Sequence, residues 1–479
     1  MNQTYRFSNI SPLDHRYWIA NPELFDRLAT YLSEEAAVRS CVRVEVALLR
    51  EHLFRLLPER RETDDTLTAA EDNVTAALVY EEEQKTRHNI RAVVNVMQRF
   101  VPEDIRHLVH LGATSVDILD TAAALRYRDV SSEVLLPLLR DLQEQLITLA
   151  ENEADTVQIG RTHGQYAVPI TVGFALAEYV SRLGSSIIEI ERRLTMLRGK
   201  LSGAVGSYNA TSVLYPDPVE FEAAVLARLN LKAGEHATQI VSPEPLLRLL
   251  LEYNTAFGII ANLADDLRHL QRSEIGEFRE FFAPGQVGSS TMPHKRNPWN
   301  AEHVKSLWKA FAPRAVTWFM DQISEHQRDL SNSASGRFVA EYLGGFAAAT
   351  ARMVSILKKI EVDREGLEKN LSAGARMVLA EPMYVILAAT GVADAHERIR
   401  SATLLAEAEE ISLIEAAQSD VALWDAVRAG CRKLTGIDAD EFFSDPRRYT
   451  GQAAQRAREV CRHHRELLTD PGTGTGLDG

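Results

Sequence analysis

A heptad pattern of apolar residues constrains the fold of this chain more than any other feature. From Leu176 the apolar positions advance in alternating steps of four and three as far as Leu197. The stripe consists of Leu176, Val180, Leu183, Ile187, Ile190, Leu194 and Leu197. Such a repeat is typical of long helices that pack in a left-handed bundle. It predicts a helix over about residues 170–198, which would be roughly 40 Å long at about 1.5 Å per residue.

A second leucine stripe predicts another long helix. It consists of Leu135, Leu138, Leu139, Leu142, Leu146 and Leu149, and Pro137 predicts a kink within it. Helices are also predicted over residues 245–282, 300–325 and 336–359, while strand alternation is scarce. We therefore predict an all-α fold with a long central bundle. Because helices of this length exceed what one subunit usually covers, we also expect several copies of the chain to associate.

Length and composition indicate a globular protein of two or three domains. The chain has 479 residues, of which 45% are hydrophobic and 25% are charged. We place an N-terminal helical domain at residues 1–110, the bundle at 111–365 and a C-terminal helical domain at 366–468, followed by a disordered tail at 469–479. The net charge of −14 argues against general nucleic-acid binding, which needs a basic face.

The cysteines and the N-terminus favour a cytoplasmic protein. Cys41, Cys431 and Cys461 form no CxxC pair and no Cys/His cluster, which argues against a zinc site and for a reducing compartment. The first residues lack the basic and then apolar layout of a signal peptide. No apolar run approaches the roughly eighteen residues that a membrane helix needs. We expect a soluble, cytoplasmic protein with no membrane partner.

The segment GSSTMPHKRNP, residues 288–298, is the strongest indication of an enzyme. Gly288 frees the backbone, and Pro293 and Pro298 prevent a continuous helix. The segment therefore reads as a loop that carries hydroxyl, cationic and amide groups between long helices. A solvated linker rarely contains such groups at this density. Loops of this kind on a rigid scaffold are where catalytic residues tend to lie.

Four further polar segments lie near predicted helix ends. They are TRHN at 86–89, GATSVD at 112–117, GRTHGQ at 160–165 and RDLSNSASGR at 328–337. Thr114 and Ser115 suit either a helix N-cap or an anion site at a helix N-terminus. His163, in a glycine-flanked turn, suits either a structural hydrogen bond or catalysis. Arg328 and Arg337 suit either a solvated face or a phosphate site.

Taken together, these motifs resemble the fumarase/aspartase superfamily of lyases. Residues 288–298 are similar to its signature loop, GRTHGQ to its histidine segment and GATSVD to its Thr-Ser segment. SPLDHRYW near the start, RHNI, GAVGSYNA at 203–210, RDLSNSASGR and DAHERIR at 394–400 are most similar to the adenylosuccinate lyase branch. The resemblance extends over most of the chain. It implies β-elimination of fumarate from a succinyl adduct without a metal or organic cofactor, by a homotetramer whose active sites are each built from three subunits.

The resemblance also implies which residues move protons. Ser289 matches the catalytic base, acting as an alkoxide, and Ser290 is the alternative base one residue on. A serine hydroxyl ionises at neutral pH only if nearby cations and N–H groups stabilise its charge. His163 matches the general acid that protonates the leaving nitrogen. Glu302 matches the glutamate that orients this histidine.

Further matches concern substrate binding. Lys295 and Asn297 match groups that hold the substrate carboxylate and spread the charge of the intermediate. The other substrate-contacting matches are Thr114, Ser115, Thr162 and Gln239, and the residues around the nucleotide are Arg16, Tyr17, Arg87, His88, Asn89, Arg328, Ser333 and Arg337.

Three departures from the family pattern leave the amine product open. Asn89 stands where an aspartate is usual, and Pro243 stands where an arginine is typical. The stretch QYAVPITVG after the histidine also differs modestly from the usual form. The leading expectation is cleavage of adenylosuccinate to AMP and fumarate in purine biosynthesis. The alternative is a lyase of specialised metabolism that acts on another N-substituted succinate, of hydrazino-, nitro- or arginino-succinate type. A catalytically silent scaffold is a third hypothesis, but the chain retains every residue of the predicted elimination machinery.

Overall fold

Long helices make up most of the structure, a computed structural model that describes residues 7–60, 64–283, 285, 288, 291–292, 294–324, 326–328 and 331–469. The predicted mostly α fold is confirmed. The α-helices are Arg16–Ala20 (α1), Pro22–Leu32 (α2), Glu34–Leu56 (α3), Asp64–Asn73 (α4), Ala76–Thr86 (α5), Asn89–Met97 (α6), Ser115–Val130 (α7), Leu136–Asn152 (α8), Val172–Leu194 (α9), Thr211–Leu214 (α10), Pro218–Ala227 (α11), Glu244–Leu270 (α12), Trp299–Phe311 (α13), Arg314–Met320 (α14), Ser333–Arg337 (α15), Val339–Leu357 (α16), Arg364–Ala375 (α17), Ala380–Ala389 (α18), Ala395–Ala408 (α19), Leu413–Ser419 (α20), Val421–Thr435 (α21), Ala439–Ser444 (α22) and Ala453–Thr469 (α23).

Short strands and tight helical turns connect these helices. The strands pair as three two-stranded sheets within the described residues: Val157–Thr162 (β1) with Gln165–Thr171 (β2), Arg198–Gly199 (β3) with Lys232–Ala233 (β4), and Phe278–Arg279 (β5) with Glu361–Val362 (β6). The 3-10 helices are Pro12–Asp14, Pro58–Arg60, Glu103–Leu108 and Pro446–Tyr449, and Ser131–Leu135 is a π-helical turn.

The predicted heptad helix forms as α9, and all seven residues of its stripe are buried. It is shorter than predicted at both ends. Before it, β2 continues to Thr171, whose hydroxyl accepts a hydrogen bond from the Phe174 N–H at 3.2 Å and so satisfies one N–H of the first turn. After Leu194 the chain leaves the helix and enters β3 at Arg198.

The second stripe is also helical, with an irregularity where Pro137 predicted a kink. The π-helical turn precedes α8, and the stripe residues Leu139, Leu142 and Leu146 are fully buried. Pro137 has no N–H to offer the carbonyl of Glu133 four residues earlier. The guanidinium group of Arg27 donates a hydrogen bond to that carbonyl instead.

Two predicted helices end earlier than the apolar pattern indicated. The helix predicted over 245–282 ends at Leu270, after which Gly276 adopts a φ of 64° and the chain enters β5. The helix predicted over 300–325 is interrupted at Pro313, which cannot donate the next helical hydrogen bond, and continues as α14. The third, predicted over 336–359, is observed as α16.

The chain forms two compact units, each built from three separate segments. Unit 1 comprises Met1–Leu139, Ser186–Gly258 and Ser306–Ala351, and unit 2 comprises Arg140–Ser185, Ile259–Lys305 and Arg352–Gly479. Within unit 2 the C-terminal helices have an apolar core of their own around Met383, Trp424 and Phe443. The division into domains at about residues 110 and 365 stays a prediction. The predicted tail, apart from Thr469, lies outside the described residues.

None of the described helices is by itself long and apolar enough to cross a membrane. The bent pair α17 and α18 meets that criterion together, by length and composition only.

Candidate active site

Thr114 and Ser115 lie at the N-terminus of α7, where the Gly-Ala-Thr-Ser segment predicted either a cap or an anion site. Thr114 occupies the N-cap position. The buried Asp117 carboxylate accepts hydrogen bonds from the Thr114 N–H at 2.8 Å and from the Gly203 N–H at 3.2 Å. It also pairs with the ammonium group of Lys200, which is buried too. The first turn of α7 is therefore fixed to Lys200 by an ion pair withdrawn from water, and to the start of the GAVGSYNA segment by the Gly203 hydrogen bond.

Two histidines hold the turn that leads into α7. Nε2 of His52 lies 2.9 Å from the carbonyl oxygen of Leu111, and Nδ1 of His110 lies 2.6 Å from a carboxylate oxygen of the buried Glu45. Burial lowers the pKa of His52 to about 4, so its ring is neutral at physiological pH. Burial opposes charge on His110 as well, but the hydrogen bond that His110 donates to Glu45 and the negative charge of Glu45 outweigh burial and raise the His110 pKa.

Gln239 and Arg328 lie in two loops that are linked to each other. The Gln239 N–H donates to the Gln327 carbonyl at 3.3 Å. From α7, the Asp120 carboxylate accepts a hydrogen bond from the Val241 N–H at 2.9 Å. Burial raises the pKa of Asp120 to about 6, although the Val241 hydrogen bond and the charge of Arg328 act in the opposite direction. The structure thus brings two predicted substrate-binding positions to the helix that begins at Ser115.

Arg87, His88 and Asn89 form an exposed bend between α5 and α6. Arg87 ends α5 in the left-handed region, with a φ of 53°. Nδ1 of His88 accepts a hydrogen bond from the Arg91 N–H at 3.2 Å and so caps α6. In the neutral ring the proton then lies on Nε2, which leaves Nε2 as a donor.

Three of the predicted nucleotide-binding arginines are exposed and carry unpaired charges. Arg16 begins α1, Arg87 follows α5 and Arg337 ends α15. Within the part of the chain that the structure describes, none of the three forms an ion pair with a carboxylate. Half-buried Tyr17 follows Arg16, and Ser333 is exposed at the start of α15. These guanidinium groups are therefore free to bind an anion.

In unit 2, His163 lies at the exposed tip of a β-hairpin that the sequence did not predict. Thr162 pairs with Gln165, and the two residues between them, His163 and Gly164, have φ angles of 55° and 75°. Positive φ at both central residues is the geometry of a tight two-residue hairpin turn. Thr162 is exposed beside His163.

The hairpin is anchored by Glu277, a fully buried carboxylate of unit 2. Its two oxygens accept hydrogen bonds from Arg161 at 2.6 and 3.0 Å, from Gln158 at 2.7 Å and from Asn370 at 2.8 Å. Arg161 and Gln158 belong to β1, so the strand that leads to His163 is fixed through its own side chains.

The base of the 288–298 loop is closed by Asn297. Its Nδ2 donates a hydrogen bond to the Gly288 carbonyl at 3.1 Å. A Cβ atom on Gly288 would lie 2.2 Å from the Lys295 carbonyl oxygen, so this close approach requires glycine. Gly288 therefore serves close packing here, where the sequence suggested mobility. Lys295 is exposed, and Ser289 and Ser290 lie outside the described residues.

Glu302 is exposed in the first turn of α13. Among the described residues of one chain, no hydrogen bond joins it to His163. The start of α13 is held by Glu280, whose carboxylate accepts hydrogen bonds from the Ala301 N–H and the Asn300 side-chain amide, both at 2.8 Å. Orientation of His163 by Glu302 stays a prediction. The described residues contain no group of three or more metal-ligating side chains.

Two family models match the chain. One, described as Lyase, matches residues 38–309, more than half of the chain, and the other, described as Adenylosuccinate lyase C-terminal, matches residues 324–438. The chain belongs to the fumarase/aspartase superfamily of lyases.

Curated relatives of this lyase match it over nearly its whole length. It is 31% identical over 465 residues to the adenylosuccinate lyase of Archaeoglobus fulgidus, covering 96% of this chain and 99% of that protein. It is 32% identical over 464 residues to the adenylosuccinate lyase of Pyrococcus horikoshii, covering 96% and 98%. Its fold is similar to that of 3-carboxy-cis,cis-muconate lactonizing enzyme from Pseudomonas putida, with a TM-score of 0.77, 24% identity and coverage of 92% and 97%.

Sequence reasoning missed the residues that position this lyase's candidate site. Lys200 pairs with Asp117 in the first turn of α7, and His110 binds Glu45 from the turn before it. Glu277 holds the hairpin, and Glu280 holds the start of α13. The available signal was a charged residue inside an otherwise apolar or glycine-rich stretch, as in Gly-Lys-Leu-Ser-Gly and Ile-Gly-Glu-Phe. Such a residue is rarely buried unless it is paired.

Proposed function

We propose that this lyase cleaves adenylosuccinate to AMP and fumarate by β-elimination. The observation that carries the proposal is the set of exposed, unpaired arginines Arg16, Arg87 and Arg337 in a chain of net charge −14. An amine product without a phosphate would need no such set. Two relatives at 31% and 32% identity are adenylosuccinate lyases over almost their full length, which supports the same substrate.

In the proposed reaction, Ser289 removes a proton from the succinyl carbon next to a carboxylate. Lys295 and Asn297 hold that carboxylate and stabilise the resulting negative charge. The electron pair then forms the double bond of fumarate as the carbon–nitrogen bond breaks, and His163 donates a proton to the departing nitrogen. One N–H of the Asn297 side-chain amide donates to the Gly288 carbonyl, so its other N–H is the one that binds the substrate carboxylate. Ser290 is the alternative base.

On the substrate side, Thr114, Ser115, Thr162 and Gln239 are proposed to contact the succinyl part and its surroundings. The proposed nucleotide contacts are Arg16, Tyr17, Arg87, His88, Asn89, Arg328, Ser333 and Arg337. Backbone hydrogen bonds and the Asp117–Lys200 pair hold several of these positions in unit 1, which favours binding of a preformed shape.

We also propose a cytoplasmic homotetramer whose subunits complete one another's active sites. His163, Lys295 and Glu302 are exposed in unit 2 and make no hydrogen bond to one another among the described residues. Unit 2 also has an open, largely apolar groove of about 640 Å³ lined by residues that include Phe174, Leu263 and Leu270. A monomer in light scattering would contradict this assembly.

The test is fumarate release from adenylosuccinate by the purified protein. We expect turnover by the wild type and its loss in Ser289→Ala and His163→Ala. A folded wild type that releases no fumarate from adenylosuccinate overturns the proposal. A parallel screen of other N-substituted succinates tests the alternative substrate. That alternative is motivated by Asn89 and Pro243, which depart from the family pattern.

A further inference from the structure

The buried carboxylate of Glu277 has its hydrogen-bonding capacity filled on both oxygens. Oε1 accepts from Arg161 Nη2 and from Asn370, and Oε2 accepts from Gln158 and from Arg161 Nη1. All four hydrogen bonds come from N–H donors, so they are satisfied only by a side chain whose two terminal atoms are both acceptors. An amide at this position would turn an N–H toward one of these donors.

A β-bulge in the hairpin makes this arrangement available. In a regular strand, Gln158 and Arg161 would point to opposite faces, because successive side chains alternate. The register shifts between Ile159 and Arg161, and this shift brings both side chains to Glu277. Gly160 sits at the bulge, where a Cβ atom would lie 2.5 Å from the Val168 carbonyl oxygen.

Asn370 extends the anchor beyond the hairpin itself. Its Nδ2 donates to both Glu277 and the Ile275 carbonyl at 2.8 Å, and its Oδ1 accepts from the Tyr166 hydroxyl at 3.3 Å. Tyr166 lies on β2, so both strands of the hairpin reach the same buried cluster. The tip that carries His163 is therefore supported from both sides.

Glu280, three residues further on, fixes a second element. It accepts hydrogen bonds from the Ala301 N–H and the Asn300 amide at the start of α13, the helix that carries Glu302. The segment between Glu280 and Asn300 contains the 288–298 loop. Within unit 2, Glu277 thus holds the hairpin. Glu280, on the same short segment, holds the start of α13, where the 288–298 loop ends.

We propose that Glu277 is a positioning residue of the elimination reaction: it holds the β1–β2 hairpin and so sets where His163 lies. The inference rests on the proposed role of His163 as general acid. Glu277 touches no reacting atom and acts only through the hairpin. Misplacement of a reacting group by about 1 Å costs on the order of 100-fold in rate.

The central test is Glu277→Gln, measured by steady-state kinetics with adenylosuccinate and by amide hydrogen exchange. We expect kcat to fall by about 100-fold with KM within about twofold, because transition-state geometry is lost while substrate binding is retained. Exchange should accelerate at residues 157–171. Asn370→Ala removes one donor and keeps the Arg161 ion pair, so it should show the same pattern at about 10-fold in kcat.

The matched control is Glu51→Gln in unit 1. Glu51 is also a buried carboxylate, bound by Arg55 at 2.7 Å and by Arg228 at 2.8 Å, and it contacts no predicted catalytic residue. The Glu51→Gln variant should lower the melting temperature about as much as Glu277→Gln does. It should keep kcat within about twofold of the wild type and leave amide exchange in the hairpin unchanged.

Three results would overturn the inference: unchanged hairpin exchange in folded Glu277→Gln, a kcat within about twofold of the wild type, or an equal loss of kcat in Glu51→Gln. Failure of the proposed function is recognised separately. If the wild type releases no fumarate from adenylosuccinate, the substrate assignment falls, and the exchange experiment still decides whether Glu277 holds the hairpin.

Discussion

The two units hold their predicted site residues in different ways. In unit 1, loops that carry Gln239 and Arg328 are tied by backbone hydrogen bonds and buried charges around α7. In unit 2, His163 and Lys295 are exposed on a turn and a loop, which are anchored through Glu277 and Asn297 respectively. Gln239 and Arg328, predicted to bind substrate, lie on a fixed framework, while His163, the predicted general acid, and Lys295 project from one.

This difference follows from what each group must do in the proposed reaction. A nucleotide is bound most tightly by donors that are already ordered, since no ordering entropy is then lost on binding. A group that transfers a proton must meet the substrate and later release the product, which favours placement on a turn or a closing loop. Substitutions in unit 2 are therefore expected to change kcat, and those in unit 1 to change KM or stability.

The largest effect is expected for His163→Ala. Loss of a general acid costs about 10²- to 10⁴-fold, and it should appear in kcat with KM nearly unchanged. Stopped-assay fumarate measurement with adenylosuccinate checks this. Gln165→Ala, across the turn from Thr162, is the control for changes in the turn itself. A kcat for His163→Ala close to that of the wild type would remove His163 from the proposed role.

Lys200→Met should give the largest loss of stability in unit 1. The substitution leaves the Asp117 carboxylate buried without its partner, which costs about 3–5 kcal/mol in the free energy of unfolding. Urea denaturation followed by circular dichroism measures it. The double substitution Lys200→Met with Asp117→Leu should recover part of the loss. A decrease below about 1 kcal/mol would show that the ion pair does not hold the start of α7.

Arg337→Met should weaken substrate binding more than turnover. Removal of one exposed guanidinium that is proposed to bind phosphate is expected to raise KM by about 10-fold, with little change in kcat. Arg400→Met, an exposed arginine paired with Glu397 in unit 2, is the matched control and should leave KM unchanged. If Arg337→Met instead lowers kcat alone, the assignment of recognition to unit 1 is wrong.

The smallest expected effect is a pH dependence set by Asp120. Its folded-state pKa of about 6 lies above the ordinary 3.8, so between these values the folded protein holds a proton that the unfolded chain has released. The free energy of unfolding should therefore fall, on the order of 1 kcal/mol, as the pH rises from about 4 through the folded-state pKa, and level off near about pH 7. In Asp120→Asn, the free energy of unfolding should change less between pH 4 and pH 7, because this contribution is absent. An identical pH dependence of the free energy of unfolding in the wild type and Asp120→Asn would contradict a raised Asp120 pKa.

Much of the helical framework could be predicted from local patterns. The six stripe residues of α9, from Leu176 to Leu194, are buried as their periodicity indicated, because a heptad repeat places its apolar residues on one helix face. The hairpin around His163 escaped prediction because its strands are short, contain a bulge at Gly160 and are held by residues elsewhere in the chain. The helix predicted over 245–282 was too long because apolar residues such as Phe278 continue the pattern into a short strand.

The residue types at the candidate site could likewise be named from motifs, but their support could not. His163, Lys295 and the arginines of unit 1 belong to recognisable segments. The partner of Glu277 is Arg161, 116 residues away, and the partner of Lys200 is Asp117, 83 residues away. The apolar and glycine-rich residues around these two side chains indicate burial, but the local sequence does not name their partners.

The sequence by itself determined the mostly α fold and the lyase family, and it named the residues predicted to carry the elimination, because helix periodicity and motif chemistry are local properties of the chain. Only the tertiary structure decided that the GATSVD segment is fixed by a buried ion pair, that Gly288 is packed against the Lys295 carbonyl, and that Glu277 supports the hairpin of His163. These are contacts between residues far apart in the sequence or between backbone atoms. They form only when the folded chain removes both partners from water.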